Sequence, residues 1–165
     1  MKTAYISHRQ CLEHDAGEDH PETARRLGAI EDRLISAGLF DLLRHYEAPE
    51  ISREQLLRVH SPGYLEMLQS LAPRQGYVRL DPDTIMSPPT LGAAYRSAGA
   101  AVLAMDLLMS GQADNAFCCV RPPGHHAERS RAMGFCLFNN IAAGAAHALE
   151  AHGVGRVAIV DFDVH

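Results

Sequence analysis

The stretch Gly155-Arg156-Val157-Ala158-Ile159-Val160-Asp161-Phe162-Asp163-Val164-His165 decides the fold class. Val157 to Val160 are apolar at every position, which predicts a strand covered on both faces, as in a parallel sheet. Two acids and a histidine follow at its carboxyl end, where charge is costly unless something compensates it. Alternate residues of a strand share a face, and at ~3.3 Å rise per residue neighbours on that face lie ~6.6 Å apart. Asp163 and His165 are therefore the better pair to converge on one ion. Asp161, about 13 Å from His165 by the same rise, suits a supporting role such as orienting a histidine.

Working back from this stretch, Ile141 to His152 reads as an Ala-rich helix bounded by Asn139 or Asn140 and by Gly153. Arg121 to Asn139 reads as a loop rich in functional groups, and Asn115 to Val120 as a short apolar strand. Strand, loop, helix and strand make a βαβ unit, which places chemistry just beyond the carboxyl ends of parallel strands. Within the loop, Arg121-Pro122-Pro123-Gly124-His125-His126-Ala127 sets paired imidazoles on a stiffened turn at that same edge. An imidazole has an unperturbed pKa of ~6.5, suited to proton transfer, and a buried carboxylate on its far nitrogen favours the protonated form. Asp161 is the candidate for that carboxylate. Phe135, between Gly134 and Cys136, is read either as core or as a pocket wall. His14, Asp15, His20 and Glu22 divide between loop hydrogen bonding and a site role, while His8, His45, His147 and His152 are read as surface or packing residues.

Nearer the start, Thr3 to Ser7 predicts a strand, and His8 to His20 a loop too polar for the core. A helix is expected from Glu22 to Ala37, with Gly38 as its left-handed terminator. Ser52 and Gln55 have capping-box spacing, and Ser61-Pro62 opens a helix carrying Tyr64, Leu65, Leu68 and Leu71. Arg74 to Pro89 is expected to be a long surface loop whose acids, Asp81 and Asp83, suit a cationic substrate. Leu91 to Met109 is a helix with small residues for close approach to a sheet, ended by Gly111.

Composition bounds the rest. A chain of 165 residues with 47% hydrophobic residues can bury a core without staples. Its net charge of -5 argues against direct nucleic-acid or anionic-membrane binding. No apolar run reaches the ~20 residues of a membrane span, the start lacks a signal peptide, and the four cysteines form no CxxC pair, so a cytoplasmic protein with reduced thiols is expected. A homo-oligomer stays open.

These motifs resemble the histone deacetylase family of the arginase/deacetylase fold, closest to its class II and bacterial amidohydrolase branch, which includes acetylpolyamine amidohydrolases. His14 to Leu27, His60-Ser61-Pro62, Arg121 to His126, Gly134 to Asn140 and Asp161 to His165 carry the resemblance. It implies a three-layer α/β fold with a parallel central sheet, incomplete at its carboxyl-terminal end, residues 1–165 being the amino-terminal part of one catalytic domain. It also implies that Asp163 and His165 are two of three protein ligands to a catalytic zinc, and that His125 and His126 are the tandem base and acid. Asp161 matches the acid that bonds the first of these histidines and helps hold a structural potassium ion. Phe135 matches a wall of the acyl-lysine channel, and Gly134 a carbonyl that accepts the substrate amide. The implied reaction is zinc-assisted hydrolysis of an acetylated lysine peptide or acetylpolyamine. The family's third zinc ligand and oxyanion-stabilising residue follow the matched motifs and are not in these 165 residues, so normal turnover is not expected of this chain by itself. The rival reading is a non-catalytic module that binds acyl groups or a partner. A two-manganese ureohydrolase is disfavoured, since it needs more acids and no paired-histidine turn.

Overall fold

A computed structural model describes residues 1–164 of the chain. Its centre is a parallel three-stranded sheet in the order β2-β1-β5, formed by Arg44–Glu47 (β2), Thr3–Ser7 (β1) and Asn115–Cys118 (β5). The residues of β1 alternate between two cores. Ala4 and Ile6 face Ala100, Ala104 and Leu107 of the long helix α5 (Thr90–Met109), while Tyr5 faces Leu27 of α2 (Arg25–Ser36) and Cys119. With both faces covered, β1 has the continuous burial expected of a central parallel strand. The layers are thus α2, the sheet, and α5 with α6 (Asn140–Ala151).

Two short helices build a second core against α5. In α3 (Arg53–Leu57) the expected capping box is complete, Ser52 accepting from the Gln55 amide and Gln55 accepting from the Ser52 amide. In α4 (Pro62–Leu71), Tyr64, Leu65 and Leu68 are buried with Leu56, Met86 and Phe138. The connection from β2 lies directly on α5. A Cβ at Gly99 would stand 1.9 Å from the Pro49 carbonyl oxygen, so only glycine fits there.

Three sequence expectations need correction. The segment from His8 to His20 is not excluded from the core: it holds the short helix α1 (Gln10–Glu13), with Cys11, His14 and Ala16 buried. Its polar groups find partners inside the protein, which removes the cost that suggested exposure. The segment from Arg74 to Pro89 is partly built inward, as a two-residue antiparallel ladder of β3 (Val78–Arg79) and β4 (Ile85–Met86) that buries Thr84, Met86 and Ser87.

The third correction concerns the stretch that opened the sequence reading. Residues 156–164 form no strand, and among the described residues β5 pairs only with β1. Val157, Ile159, Val160 and Phe162 are exposed, Phe162 by 90%. Apolar continuity specifies a buried strand only where neighbours complete its ladder, and among the described residues none flanks this segment. His165 lies outside the described residues.

Candidate active site

The carboxyl end of β5 leads into residues 119–139, which are anchored at both ends. Arg121, 1% exposed, anchors the first end. Its guanidinium donates to both carboxylate oxygens of Glu22 at 2.7 Å and to the carbonyls of Cys11 and His14 at 2.8 and 2.9 Å. This bidentate geometry satisfies the buried charge, so Arg121 and Glu22 act as a structural clamp. His14 completes the clamp, with Nδ1 2.8 Å from the Thr90 hydroxyl and Nε2 3.5 Å from Glu22. Burial holds its pKa down at about 4 although Glu22 attracts the charged form, so His14 is neutral near pH 7.

His60 fixes the other end. The Asn139 amide donates to its Nε2 at 3.0 Å, so its Nδ1–H donates to the Glu128 carbonyl, also at 3.0 Å. Burial lowers the pKa of this ring as well, against the pull of backbone hydrogen bonds from the same loop. Asn139 then caps α6 by accepting from the Ala142 amide, while its side-chain amide donates to the Ala127 carbonyl. Of the two caps the sequence offered, Asn139 is the one used.

Between these anchors stand the paired imidazoles, with ring centres 4.1 Å apart. His125 Nδ1 lies 2.8 Å from Asp161 Oδ2. The hydrogen bond from His125 and one from the Asp163 amide keep the Asp161 carboxyl below its ordinary range, so it accepts and His125 carries its proton on Nδ1. A neutral His125 ring then has its lone pair on Nε2. The expected pairing is present, but Asp161 is not the buried carboxylate anticipated, since its side chain is 53% exposed.

His125, His126, Gly134, Phe135, Asn140 and Asp163 line one cleft of about 480 Å³. Asp163 is thereby brought beside the histidine turn, as the sequence suggested. Phe135 also borders an outer cavity of about 530 Å³ with Gly17, His20, Tyr77 and Asp83. It therefore stands between the two spaces as a wall, and His20 packs edge-on against it with ring centres 4.6 Å apart.

The backbone that presents Phe135 is strained. Met133 and Cys136 exchange both backbone hydrogen bonds around Gly134 and Phe135, whose φ values are +57° and +67°. Such a tight turn is easy for glycine and costs a bulky residue about 1 kcal/mol or more. The Phe135 amide is held by the buried Thr84 hydroxyl at 3.0 Å. Gly134 is required twice over, because a Cβ there would stand 2.5 Å from His126 Cδ2. Its carbonyl accepts from the Cys136 thiol at 3.2 Å, whose pKa burial pushes up to about 12.

Sequence reasoning left four residues unresolved here. Glu22 and His14 belong to the Arg121 clamp, Asp15 accepts from the Tyr77 hydroxyl at 2.6 Å, and His20 meets Phe135 with its Nε2 3.0 Å from the Asp83 carbonyl. The signal that Glu22 belongs with Arg121 was absent, because the two are distant in sequence and only the fold pairs them.

Comparison with known proteins agrees with this geometry. The histone deacetylase domain model matches residues 20–165. The chain is 39% identical to the histone deacetylase-like amidohydrolase of Pseudomonas aeruginosa, covering 99% of this chain and 47% of that protein. It is 37% identical to the human polyamine deacetylase HDAC10, covering 100% of this chain and 26% of that one. Among solved structures, the HDA15 HD domain superposes with a TM-score of 0.85 at 34% identity, over 91% of this chain and 43% of that chain. The chain thus spans about half or less of the length of these relatives. A parallel sheet between helical layers, the loop architecture after β5 and these matches converge on one assignment: the chain belongs to the histone deacetylase family.

Proposed function

We propose that the protein carrying this sequence hydrolyses the acetyl amide of a lysine side chain or a polyamine, releasing acetate and a free amine. Residues 1–165 would be the amino-terminal part of its single catalytic domain. The observation that supports this reading most is the His125–Asp161 pair at 2.8 Å, with His125 sharing a cleft with His126, Asp163 and Phe135.

A carboxylate at Asp163 and an imidazole at His165 are donor types that catalytic zinc takes, so these residues fit that ion, with a third protein ligand supplied from elsewhere. Bound there, zinc would polarise the acetyl carbonyl and lower the pKa of its water. The remaining work falls to the chain's own groups. With Nδ1 tied to Asp161, His125 can accept a proton at Nε2 and return it from that atom to the departing amine. His126, in contact with His125, shares these two transfers. Phe135 packs against the aliphatic stem of the substrate and keeps water from it, and the Gly134 carbonyl offers a second lone pair to the substrate amide. Glu18, Asp19 and Asp83 on the outer cavity favour a cationic substrate.

The test is acetate release by the complete catalytic domain from acetylated polyamines and from acetyl-lysine peptides, with zinc removed and restored. Zinc-dependent release from at least one substrate class is expected. No release from either with zinc bound would contradict the proposal.

A further inference from the structure

Helices α5 and α6 leave the catalytic edge side by side and in the same direction. At that edge the Asn140 side-chain amide donates to the Ser97 hydroxyl at 2.8 Å. One turn further, the helices are so close that a Cβ on Gly144 would lie 3.1 Å from the Ala101 carbonyl oxygen. Beyond that contact, Asp106 of α5 meets His147 and His152 at the far end of α6. Each imidazole Nε2 is 2.7 Å from the same oxygen, Asp106 Oδ1. One ligand atom from each of the three lies within 4.8 Å of the others, and among the described residues this is the only such trio of His, Cys, Asp or Glu side chains. At 1.5 Å per residue, His147 and His152 stand roughly 10 and 18 Å along α6 from Asn140, well away from the histidine turn.

We propose that Asp106, His147 and His152 form a second metal site, which takes a divalent transition-metal ion such as zinc and clasps the ends of α5 and α6. Two imidazole nitrogens and a carboxylate oxygen are a donor set that zinc accepts at about 2.0–2.2 Å, with water in the fourth position. Imidazole also suits copper and nickel, whereas magnesium prefers oxygen ligands. Little movement is needed. His147 is 7% exposed and held between the helices, and the side chain of His152, at the end of α6, is only one quarter exposed.

Without metal the trio is a hydrogen-bonded cluster. Arg58 donates to His147 Nδ1 at 3.1 Å, so the ring carries its proton on Nε2, directed at Asp106. Metal binding at the two Nε2 atoms moves each ring's proton to its own Nδ1, puts bonds to the ion in place of both hydrogen bonds to Asp106, and displaces the Arg58 contact. Arg58 keeps Glu150 at 2.9 Å and Glu54 at 3.6 Å as partners. The exchange gives up three hydrogen bonds for three metal–ligand bonds, and Arg58 stays paired with its two glutamates.

The experiment is zinc titration against a chromophoric chelator, performed on the Asp163→Ala protein so that the catalytic edge loses its carboxylate ligand. One zinc equivalent of micromolar affinity is expected in that background, unaffected by excess magnesium. It should disappear in Asp163→Ala combined with either His152→Ala or Asp106→Asn, and the rise of several degrees in melting temperature on adding zinc should disappear with it. Melting in chelator confirms that each variant is folded, and the near-isosteric Asp106→Asn supplies the answer if His152→Ala is not. Absence of the equivalent in Asp163→Ala, or its persistence in a folded double variant, would overturn the assignment.

Discussion

Arg121 illustrates how a single buried charge can organise a site it does not enter. Its guanidinium joins Glu22, Cys11 and His14 to the strand end that carries the histidines. Glu22→Gln removes the countercharge and leaves Arg121 buried, so a loss of about 3–5 kcal/mol in unfolding free energy is expected by denaturant titration. His14 gives the pH dependence. Its folded pKa, about 4, lies below the unfolded value near 6.5, so between these values the unfolded chain binds the extra proton. Stability therefore falls as pH drops from about 6.5 to about 4, by about 3 kcal/mol in all. Subtracting the stability profile of His14→Gln from that of the native chain should isolate this slope. Asp161 is the residue on which the tautomer of His125 rests. In the complete catalytic domain, Asp161→Asn is expected to lower turnover by roughly 10²-fold or more with little change in KM.

At the scale of elements, the most constrained piece is the Gly134-Phe135 turn. Gly134→Ala combines a positive φ with a 2.5 Å collision against the His126 ring. It should displace that ring and cost turnover beyond its effect on stability, which rates compared with melting curves would separate. Gly99→Ala is the contrasting case: its collision with the Pro49 carbonyl lies in the packing of α5, so it should destabilise by about 2 kcal/mol or more, read by the same melts. Elements with local signals were legible in the sequence. β1 has the bounds expected, the Ser52–Gln55 capping box is formed, and Gly38, Gly111 and Gly153 all take positive φ at helix ends. β2 was not legible, because Arg44-His45-Tyr46-Glu47 has a polar edge-strand composition and earns its place only by pairing with β1. β3 and β4 are too short to show a period.

For the whole molecule, the sequence located the chemistry better than it located the architecture around it. Asp161, Asp163, His125 and His126 were singled out from residue type and spacing, Phe135 was left open between core and pocket wall, and the fold gathers all five. The Arg121–Glu22 clamp and the Asp106 cluster were not, since each depends on residues far apart in sequence. The expected strand at residues 157–160 was misjudged because hydrophobic continuity reports a demand for burial and not the presence of partners. Among the described residues β5 pairs with β1 alone, and Val157, Ile159, Val160 and Phe162 stand exposed. The central claim is that Asp163, beside the paired histidines, is a ligand of the ion on which hydrolysis depends. The most direct measurement is the zinc content and acetate-release rate of the complete catalytic domain with and without Asp163→Ala. Loss of one zinc equivalent together with turnover, in a protein that still melts cooperatively, is the predicted result; zinc-dependent release at the native rate would contradict the account.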